Sequence, residues 1–238
     1  MEDFDSISSE FANANYQTKH YVRLPLFRSI LPSNCASLLE LGCGSGYFCR
    51  EAADLGARII GVDSSMELIR IAQDEEQCNP RGIRYCLGDA RSLRLNERVD
   101  CVASVYVLNH MATQEELLAM CKTAAFHSNY FCSIVPNPSY RFQSECQYER
   151  SVTQKDNGPL QDGSVLQCEI KEDGKSSFRI EYYYWSKSTL ERVMKDAGFR
   201  EVFWIPPLVS KEGMQRFGAD YWKPYLENPS CMGVIARA

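Results

Sequence analysis

Leu38-Leu39-Glu40-Leu41-Gly42-Cys43-Gly44-Ser45-Gly46-Tyr47-Phe48 is the stretch from which the rest of the chain is read. An apolar run, Leu38, Leu39 and Leu41, ends in three glycines at alternate positions, and a helix-like segment follows. That order predicts a buried strand, a tight turn and a helix N-terminus. Glycines in such a turn take positive φ and let a ligand approach the main chain closely. The free N–H groups and the positive dipole end of the following helix favour a partly anionic ligand. A glycine-rich loop alone is a weak signal, and a purely structural turn is the alternative.

Spacing narrows the choice. In the dinucleotide fingerprint G-x-G-x-x-G the third glycine falls one residue later than Gly46, where this chain has Tyr47. Glu40 stands two residues before Gly42, and an acid at the loop's edge suits a ligand that also carries a cation. Cys43 reads as a small residue filling the turn.

Downstream, Ala52, Ala53 and Leu55 continue a helix that Gly56 closes, and Arg58 to Asp63 reads as a buried strand ending in an acid. An acid there can accept hydrogen bonds from the two hydroxyls of a ribose. Ser64-x-x-Glu67 reads as a capping box for the next helix, with Leu68, Ile69 and Ala72 on its apolar face. Met66 is either core or packing for a ligand ring. Ile83 to Leu87 is a third strand, closed by Gly88-Asp89-Ala90, where Asp89 is a ligand acceptor or a cap. Asp100 to His110 is a fourth strand and its exit loop. Ligands of open parallel sheets lie at the carboxyl ends of strands, which places Val105, Tyr106 and His110 near one. Thr113-x-x-Glu116 caps another helix, and Asn129 to Val135 is a fifth strand.

Alternating strands and helices imply a parallel sheet covered on both faces. After Pro136 the pattern changes. Residues 137–163 are polar; Val165 to Lys171 and Ser177 to Trp185 alternate around Glu172-Asp173-Gly174-Lys175, a hairpin signal. On the ligand side of the sheet such a hairpin would cover a second substrate, and alternation lets at most half of Tyr182, Tyr183, Tyr184 and Trp185 line its pocket. Ser188-x-x-Glu191 opens the last predicted helix, with Leu190, Val193, Met194 and Ala197 as its stripe and Gly198 at its end. Phe199 to Ile205 and Met232 to Ala236 are late strands. The aromatic stretch between them (Phe217, Tyr221, Trp222, Tyr225) packs under the sheet in preference to completing a pocket. Ahead of the first strand, residues 4–31 look helical, with Phe4, Ile7 and Phe11 and then Tyr21, Leu24, Phe27 and Leu31 at helical spacing; Pro25 fits a break or a first turn. This lead is a natural lid whose candidate contacts are Tyr16, His20 and Arg23, with a solvated surface role as the alternative for each.

The 238 residues suffice for one domain with a real core, and 45% hydrophobic with 24% charged residues is ordinary for a globular chain. A net charge of −5 with dispersed Lys and Arg argues against a nucleic-acid groove. No run has the apolar length of a membrane span, and the acidic start Met1-Glu2-Asp3-Phe4-Asp5 does not read as a signal peptide. The eleven cysteines form no C-x-x-C pair, so buried free thiols in a reducing cytosol are expected rather than disulfides or zinc.

Taken in order, Glu40-x-Gly42-x-Gly44-x-Gly46, Asp63, Gly88-Asp89-Ala90 and the Asp100 strand resemble class I S-adenosylmethionine (SAM) methyltransferases over about residues 36–135. The resemblance implies an α/β, Rossmann-like, doubly wound and mostly parallel seven-stranded sheet with an antiparallel C-terminal strand pair and a small inserted β cover. It implies one domain: a helical lid over 1–35, the cofactor core over 36–135, the substrate cover over 136–187, and a helix and strand pair over 188–238. It implies SAM as cofactor, held by Tyr16, Arg23, Glu40, Gly42, Gly44, Asp63, Ser64, Met66, Asp89, Ala90, Val105 and His110. Asp63 would take the ribose, Met66 the adenine face, Asp89 the adenine amino group, and the main chain at Ala90 ring N1. His110 is the one candidate general base; a loop cap or a cofactor contact is the alternative. No metal is expected.

Shorter flank motifs, Phe4-Asp5-Ser6-Ile7, Tyr184-Trp185-Ser186, Asp196-Ala197-Gly198-Phe199 and Tyr221-Trp222, resemble the small bacterial N-methyltransferases of the toxoflavin pathway. They imply a small-molecule acceptor and, more finely, a nitrogen of a planar heteroaromatic. Val105-Tyr106-Val107-Leu108 is not the Asn/Asp-Pro-Pro-Tyr/Phe loop of base or glutamine methylation, and neither the arginine-type loop nor a catechol-type metal constellation is present. The rivals are an NAD-type oxidoreductase, disfavoured by the glycine spacing and Glu40, a SAM-binding interaction module without turnover, and a protein methyltransferase. The expected setting is cytoplasmic, with no nucleic-acid or membrane partner.

Overall fold

The computed structural model describes every residue except 1–4, 6, 14, 15, 143–147, 149, 173 and 174, with the backbone alone for 10, 11, 13, 150, 171, 172 and 175–177. Phe4, Ser6 and the tip of the predicted hairpin lie outside the described residues, as does the side chain of Phe11. The chain begins with α1 (Ser8–Asn13), a π-helical turn (Lys19–Arg23) and α2 (Leu24–Ile30), in place of one helical lead. Pro25 sits in the first turn of α2, where its missing N–H is not needed.

The core then runs β1 (Ser37–Leu41), α3 (Tyr47–Ala53), β2 (Arg58–Asp63), α4 (Met66–Cys78), β3 (Arg84–Leu87), β4 (Cys101–Val105), a 3₁₀ turn (Leu108–His110), α5 (Gln114–His127) and β5 (Tyr130–Pro136). Three strands follow, β6 (Arg150–Gln154), β7 (Val165–Glu172) and β8 (Lys175–Tyr183), then α6 (Lys187–Asp196), β9 (Glu201–Ile205), α7 (Lys211–Phe217), α8 (Ala219–Glu227) and β10 (Cys231–Arg237). The large sheet has the order β3-β2-β1-β4-β5-β10-β9. Its first five strands are parallel, and β10 is antiparallel to both β5 and β9. This is the expected seven-stranded architecture.

Side-chain alternation shows why both faces must be covered. Leu38, Ile59, Cys101, Ala103, Cys132 and Ile134 belong to one buried cluster with Leu26, Phe27, Ile30 and Trp222. Their strand neighbours Leu39, Ile60, Val102, Phe131 and Val135 belong to another, with Leu117, Met120, Leu190, Val193 and Phe199. Neighbouring residues on a strand point to opposite faces, so each apolar run feeds two cores. Burying one such side chain fully is worth about 1.5–3 kcal/mol. The aromatic stretch 217–225 packs as expected: Trp222 and Tyr225 are buried, and the Trp222 indole N–H donates to Gly213 O at 2.9 Å.

Local signals were misplaced at two helix starts. α4 is capped by Ser65, not Ser64: the Ser65 hydroxyl accepts from Leu68 N–H at 3.1 Å. α6 is capped by Ser186, not Ser188, because Ser186 accepts from Thr189 N–H while Asp162 holds Ser186 through its N–H and hydroxyl. The α6 terminus behaves as read: Gly198, at φ 113°, lets Phe199 N–H turn back to Met194 O at 3.2 Å. The segment before residue 163 supplies a strand, β6, that its polar composition did not announce, and α7 and α8 follow the helix expected to be last. β6, β7 and β8 form a separate antiparallel sheet, one face of which buries Val152, Leu166, Cys168, Ile170, Phe178, Ile180 and Tyr182.

Candidate active site

The strand order reverses between β1 and β4, and a cavity of about 370 Å³ opens outside the carboxyl ends of the parallel strands. Every parallel strand end contributes: Glu40 and the glycine loop at β1, Asp63 to Ser65 at β2, Gly88 to Arg91 after β3, Val105 to Val107 and Asn109 to Met111 at β4, and Pro136 closing β5. Tyr16, Lys19 and Arg23 line it from the N-terminal segment, and Cys168, Ile170, Ile180 and Tyr182 from the three-stranded sheet.

The loop is shaped by its backbone. Gly42, Gly44 and Gly46 all have positive φ, and Gly42 and Cys43 both donate to Val62 O, at 2.7 and 3.0 Å. A Cβ on Gly42 would collide with the Val107 methyls, and one on Gly46 with the Tyr85 ring. Gly44 N–H donates to Asp63 Oδ2 at 2.8 Å, and Ser65 N–H to Oδ1 at 2.9 Å. Burial raises the Asp63 carboxyl above its ordinary value, and these N–H donors oppose the shift. With Ser64 N–H as a further donor, the carboxylate still keeps lone-pair capacity toward the cavity it lines.

Glu40 is 1% exposed, and its Oε2 has no hydrogen-bond partner among the described residues. Desolvation raises its pKa to about 8; Asp63 adds to the rise, and the Cys49 thiol and Arg50 oppose it. A carboxyl buried at the edge of the glycine loop is held mostly neutral, and a cationic group brought beside it would favour its ionised form. Cys43 is buried and its thiol is pushed up by that burial, which suits a filler and not a nucleophile.

Asp89 lies on the cavity, but both its oxygens accept from Arg91, through Nε at 3.0 and 3.1 Å and Nη2 at 2.7 Å. Arg91 also bonds Glu116, whose Oε2 accepts from Ala112 N–H at 2.7 Å. The sequence pattern did not single out Arg91; a cation two residues beyond an acid was the available signal. Asp89 is held below the usual carboxylate range by Arg91. Ser64, Ala90 and Val105 line the cavity. Met66 does neither of the things expected of it: at the first position of α4 it is 67% exposed and stands off the cavity, which Leu68 lines instead.

On the side of the N-terminal segment, the Arg23 guanidinium lies 4.5 Å from the Tyr16 ring centroid and 4.8 Å from that of Tyr106, and it donates to the Tyr16 hydroxyl. Tyr106 is the non-glycine residue with positive φ, 57°, among the described residues, the kind of strain that collects at functional sites. Lys19 sits 4.4 Å over the Tyr47 ring, and burial together with Arg23 and Arg50 lowers its pKa to about 8. His20 bonds the Tyr47 hydroxyl at 3.0 Å and is outside the cavity lining. His110 lines the cavity, and desolvation lowers its pKa to about 4. It is therefore neutral at pH 7, able to accept or donate a hydrogen bond but poorly matched to general-base work. Trp185 N–H holds this turn through Met111 O at 3.0 Å.

Comparison with known proteins agrees with the fold. A family model described as a methyltransferase domain matches residues 39–125. The CcbJ methyltransferase of Streptomyces caelestis superposes with a TM-score of 0.70 at 19% identity, covering 98% of this chain and 96% of its own. An S-adenosylmethionine-dependent methyltransferase of Clostridium acetobutylicum gives 0.63 at 14% identity, covering 98% and 97%. The fold is that of the class I SAM-dependent methyltransferases. A ubiquinone biosynthesis O-methyltransferase of Bartonella tribocorum is 32% identical over 85 residues, 35% of this chain and 34% of that enzyme. One from Rhodopseudomonas palustris is 32% identical over 91 residues, 37% and 36%. The chain thus spans about a third of the length of these curated relatives. Among the described residues no helix is long and apolar enough to cross a membrane, and no group of three or more His, Cys, Asp or Glu could hold a metal.

Proposed function

We propose that this protein is an enzyme that transfers the methyl group of SAM to a small-molecule acceptor. The observation that carries it is the pair of acids lining the cavity at the switch point: Glu40, buried at the edge of the glycine loop, and Asp63, its carboxylate braced by backbone N–H donors. An α-ammonium on one ligand arm and a ribose diol on another match that pair, and the glycine loop runs between them. Arg23 and Lys19 supply cations for a carboxylate from the lid side. Asp89, Ala90 and Val105 are assigned to the adenine end, with Asp89 sharing its oxygens between Arg91 and the ligand.

Bound there, SAM supplies an activated methyl: the acceptor's lone pair forms the new bond as the carbon–sulfur bond breaks and its electron pair stays on sulfur. The chain's part is alignment and exclusion of water. Cys168, Ile170, Ile180 and Tyr182 make a dry wall opposite the loop, and Tyr106 and Tyr182 offer rings for stacking a planar acceptor. Neutral His110 can hold an acceptor hydroxyl or ring N–H in place, and a proton lost from the acceptor passes to solvent. The flank motifs point to a ring nitrogen as the methylated atom. The partial relatives are named O-methyltransferases, which favours a hydroxyl oxygen; their match is confined to the cofactor half, so we keep both atoms within one class, a planar small molecule.

Calorimetric titration with SAM, S-adenosylhomocysteine and NAD tests the reading. Micromolar binding of the first two without the third is expected. Binding of NAD alone would sink it, and turnover absent from a broad acceptor screen, despite tight SAM binding, would favour the interaction module.

A further inference from the structure

Lys19 and Arg23 are the first and last residues of the π-helical turn, and both line the main cavity. Such turns gather at functional sites. The two cations stand at different places. Lys19 lies 4.4 Å over the ring of Tyr47, the first residue of α3 after the glycine loop. Arg23 lies against the rings of Tyr16 and Tyr106, 4.5 and 4.8 Å from their centroids. Tyr16 packs against the apolar cluster of the three-stranded sheet, Tyr106 follows β4, and β8 packs on the 3₁₀ turn just beyond. Arg23 therefore stands where the three-stranded sheet meets the exit of β4, and Lys19 stands at the loop. The cofactor of the reaction above brings one carboxylate, at the amino-acid end assigned to the loop and Glu40, which is the end where Lys19 lies. The second cation has no counterpart in the cofactor.

The bases of the cavity are otherwise engaged. Asp5 accepts from the Ser65 hydroxyl and Glu67 N–H, Asp63 from Gly44 and Ser65 N–H, and Asp89 from Arg91. Glu40 is buried at the loop, and desolvation leaves His110 a weak base with a pKa of about 4. An acceptor O–H or N–H therefore finds no well-matched carboxylate or imidazole among the described residues to take its proton. Arg23 offers another route. It is 6% exposed with two rings against its guanidinium, and an arginine so dehydrated stays charged and pairs strongly with an anion. We propose that Arg23 binds the methyl acceptor as its anion, a planar ring whose acidic O–H or N–H has already given its proton to solvent. The anion's lone pair then forms the bond to methyl while the carbon–sulfur pair stays on sulfur, so sulfonium and anion both become neutral. A water-poor cavity favours that loss of charge. This rests on the methyltransferase reading above for what fills the other half of the cavity.

The test uses para-nitrophenol, a phenol that titrates near neutrality and whose anion absorbs visible light, bound to the full chain with and without S-adenosylhomocysteine. That product lacks the sulfonium charge, so the effect of Arg23 is read alone. An apolar cavity by itself raises the ionisation midpoint of a bound phenol, and a cation lowers it, so the direction of the shift decides. In the wild type the midpoint should fall by about one pH unit, the anion binding about tenfold more tightly than the phenol. Arg23→Gln should place the midpoint at or above that of the free probe, and Arg23→Lys should restore the fall. Lys19→Met should weaken S-adenosylhomocysteine and keep most of the fall. If Arg23→Gln does not fold, as judged by thermal unfolding, the wild type still decides: para-nitroanisole, which carries no charge, should bind about tenfold more weakly than nitrophenolate at high pH. A wild-type midpoint that stays or rises, equal binding of the two probes, or failure of nitrophenol to bind overturns the assignment. So does a fall that survives Arg23→Gln or is lost in Lys19→Met. Wild-type protein that shows the fall but binds no S-adenosylhomocysteine would overturn the cofactor reading and leave the anion site at Arg23 standing.

Discussion

With the cofactor's ammonium placed against Glu40 as proposed, binding becomes a proton-release reaction. In the free protein its carboxyl has a pKa of about 8, set first by burial. At pH 6.5 such a group is about 97% protonated, and an ammonium brought against it returns it toward the ordinary carboxylate range. Lys19, also with a pKa of about 8, and the ligand's own α-amino group are nearly fully charged at this pH and take up less than about 0.1 proton together. Net release on binding S-adenosylhomocysteine is therefore about 0.9 proton, and affinity should rise about eightfold per pH unit between pH 5.5 and 7. Above pH 8 the sign reverses, because Glu40 is already ionised while Lys19 and the ligand amine must gain protons.

Calorimetry at pH 6.5 in buffers of differing ionisation enthalpy reads the proton number as a slope. Glu40→Gln should abolish the release and weaken binding about ten- to hundredfold, the loss of one charge-assisted hydrogen bond. Stability gives a second readout. A carboxyl whose folded pKa is raised contributes its stability fully below the unfolded value near 4.5 and loses it as pH climbs toward 8. Over that window the loss is bounded at about 5 kcal/mol, so unliganded Glu40→Gln should unfold at a higher temperature than wild type at pH 8.5. A release near zero at pH 6.5, with binding intact, would mean that Glu40 is not beside the ligand's cation.

Three further outcomes follow from the same geometry. The His110 imidazole should titrate near pH 4 by NMR, leaving no His110 limb in a rate profile between pH 5.5 and 7.5; a midpoint at or above 6.5 would restore it as a general base. Asp63→Ala should weaken S-adenosylhomocysteine binding at least tenfold and also lower the melting temperature, since Gly44 and Ser65 lose their acceptor; unchanged affinity would remove Asp63 from the ribose. Gly46→Ala should destabilise the fold by roughly 2 kcal/mol or more in denaturant titration, because φ is 83° and the new methyl meets the Tyr85 ring; a neutral effect would show that the loop relaxes freely.

Much of the candidate site was legible because it depends on short-range order. Three glycines after an apolar run demand a turn with positive φ, and Gly42, Gly44 and Gly46 have it. Apolar strands ending in Glu40 and Asp63 put those acids at strand ends, and parallel strands bring their ends to one edge. Where the reading slipped, the competing choices were local and nearly equal. Ser64 and Ser65 are both good caps, and so are Ser186 and Ser188; Asp162, distant in sequence, holds Ser186 and settles the second case. Met66 lies three residues past Asp63 in sequence, yet its place on the first turn of α4 turns it to solvent.

The sequence alone determined the alternation of strands and helices, hence a parallel sheet covered on both faces, and the acids and glycines of the loop, because period-two alternation and glycine's backbone freedom act between near neighbours. The doubly wound order with its antiparallel end was what the resemblance to class I SAM methyltransferases implied. Only the tertiary structure decided the rest. Burial, which no residue carries by itself, raises Glu40 and lowers His110 and Lys19. Arg91 meets Asp89 and Glu116, and Arg23 lies between Tyr16 and Tyr106, through contacts between separate elements.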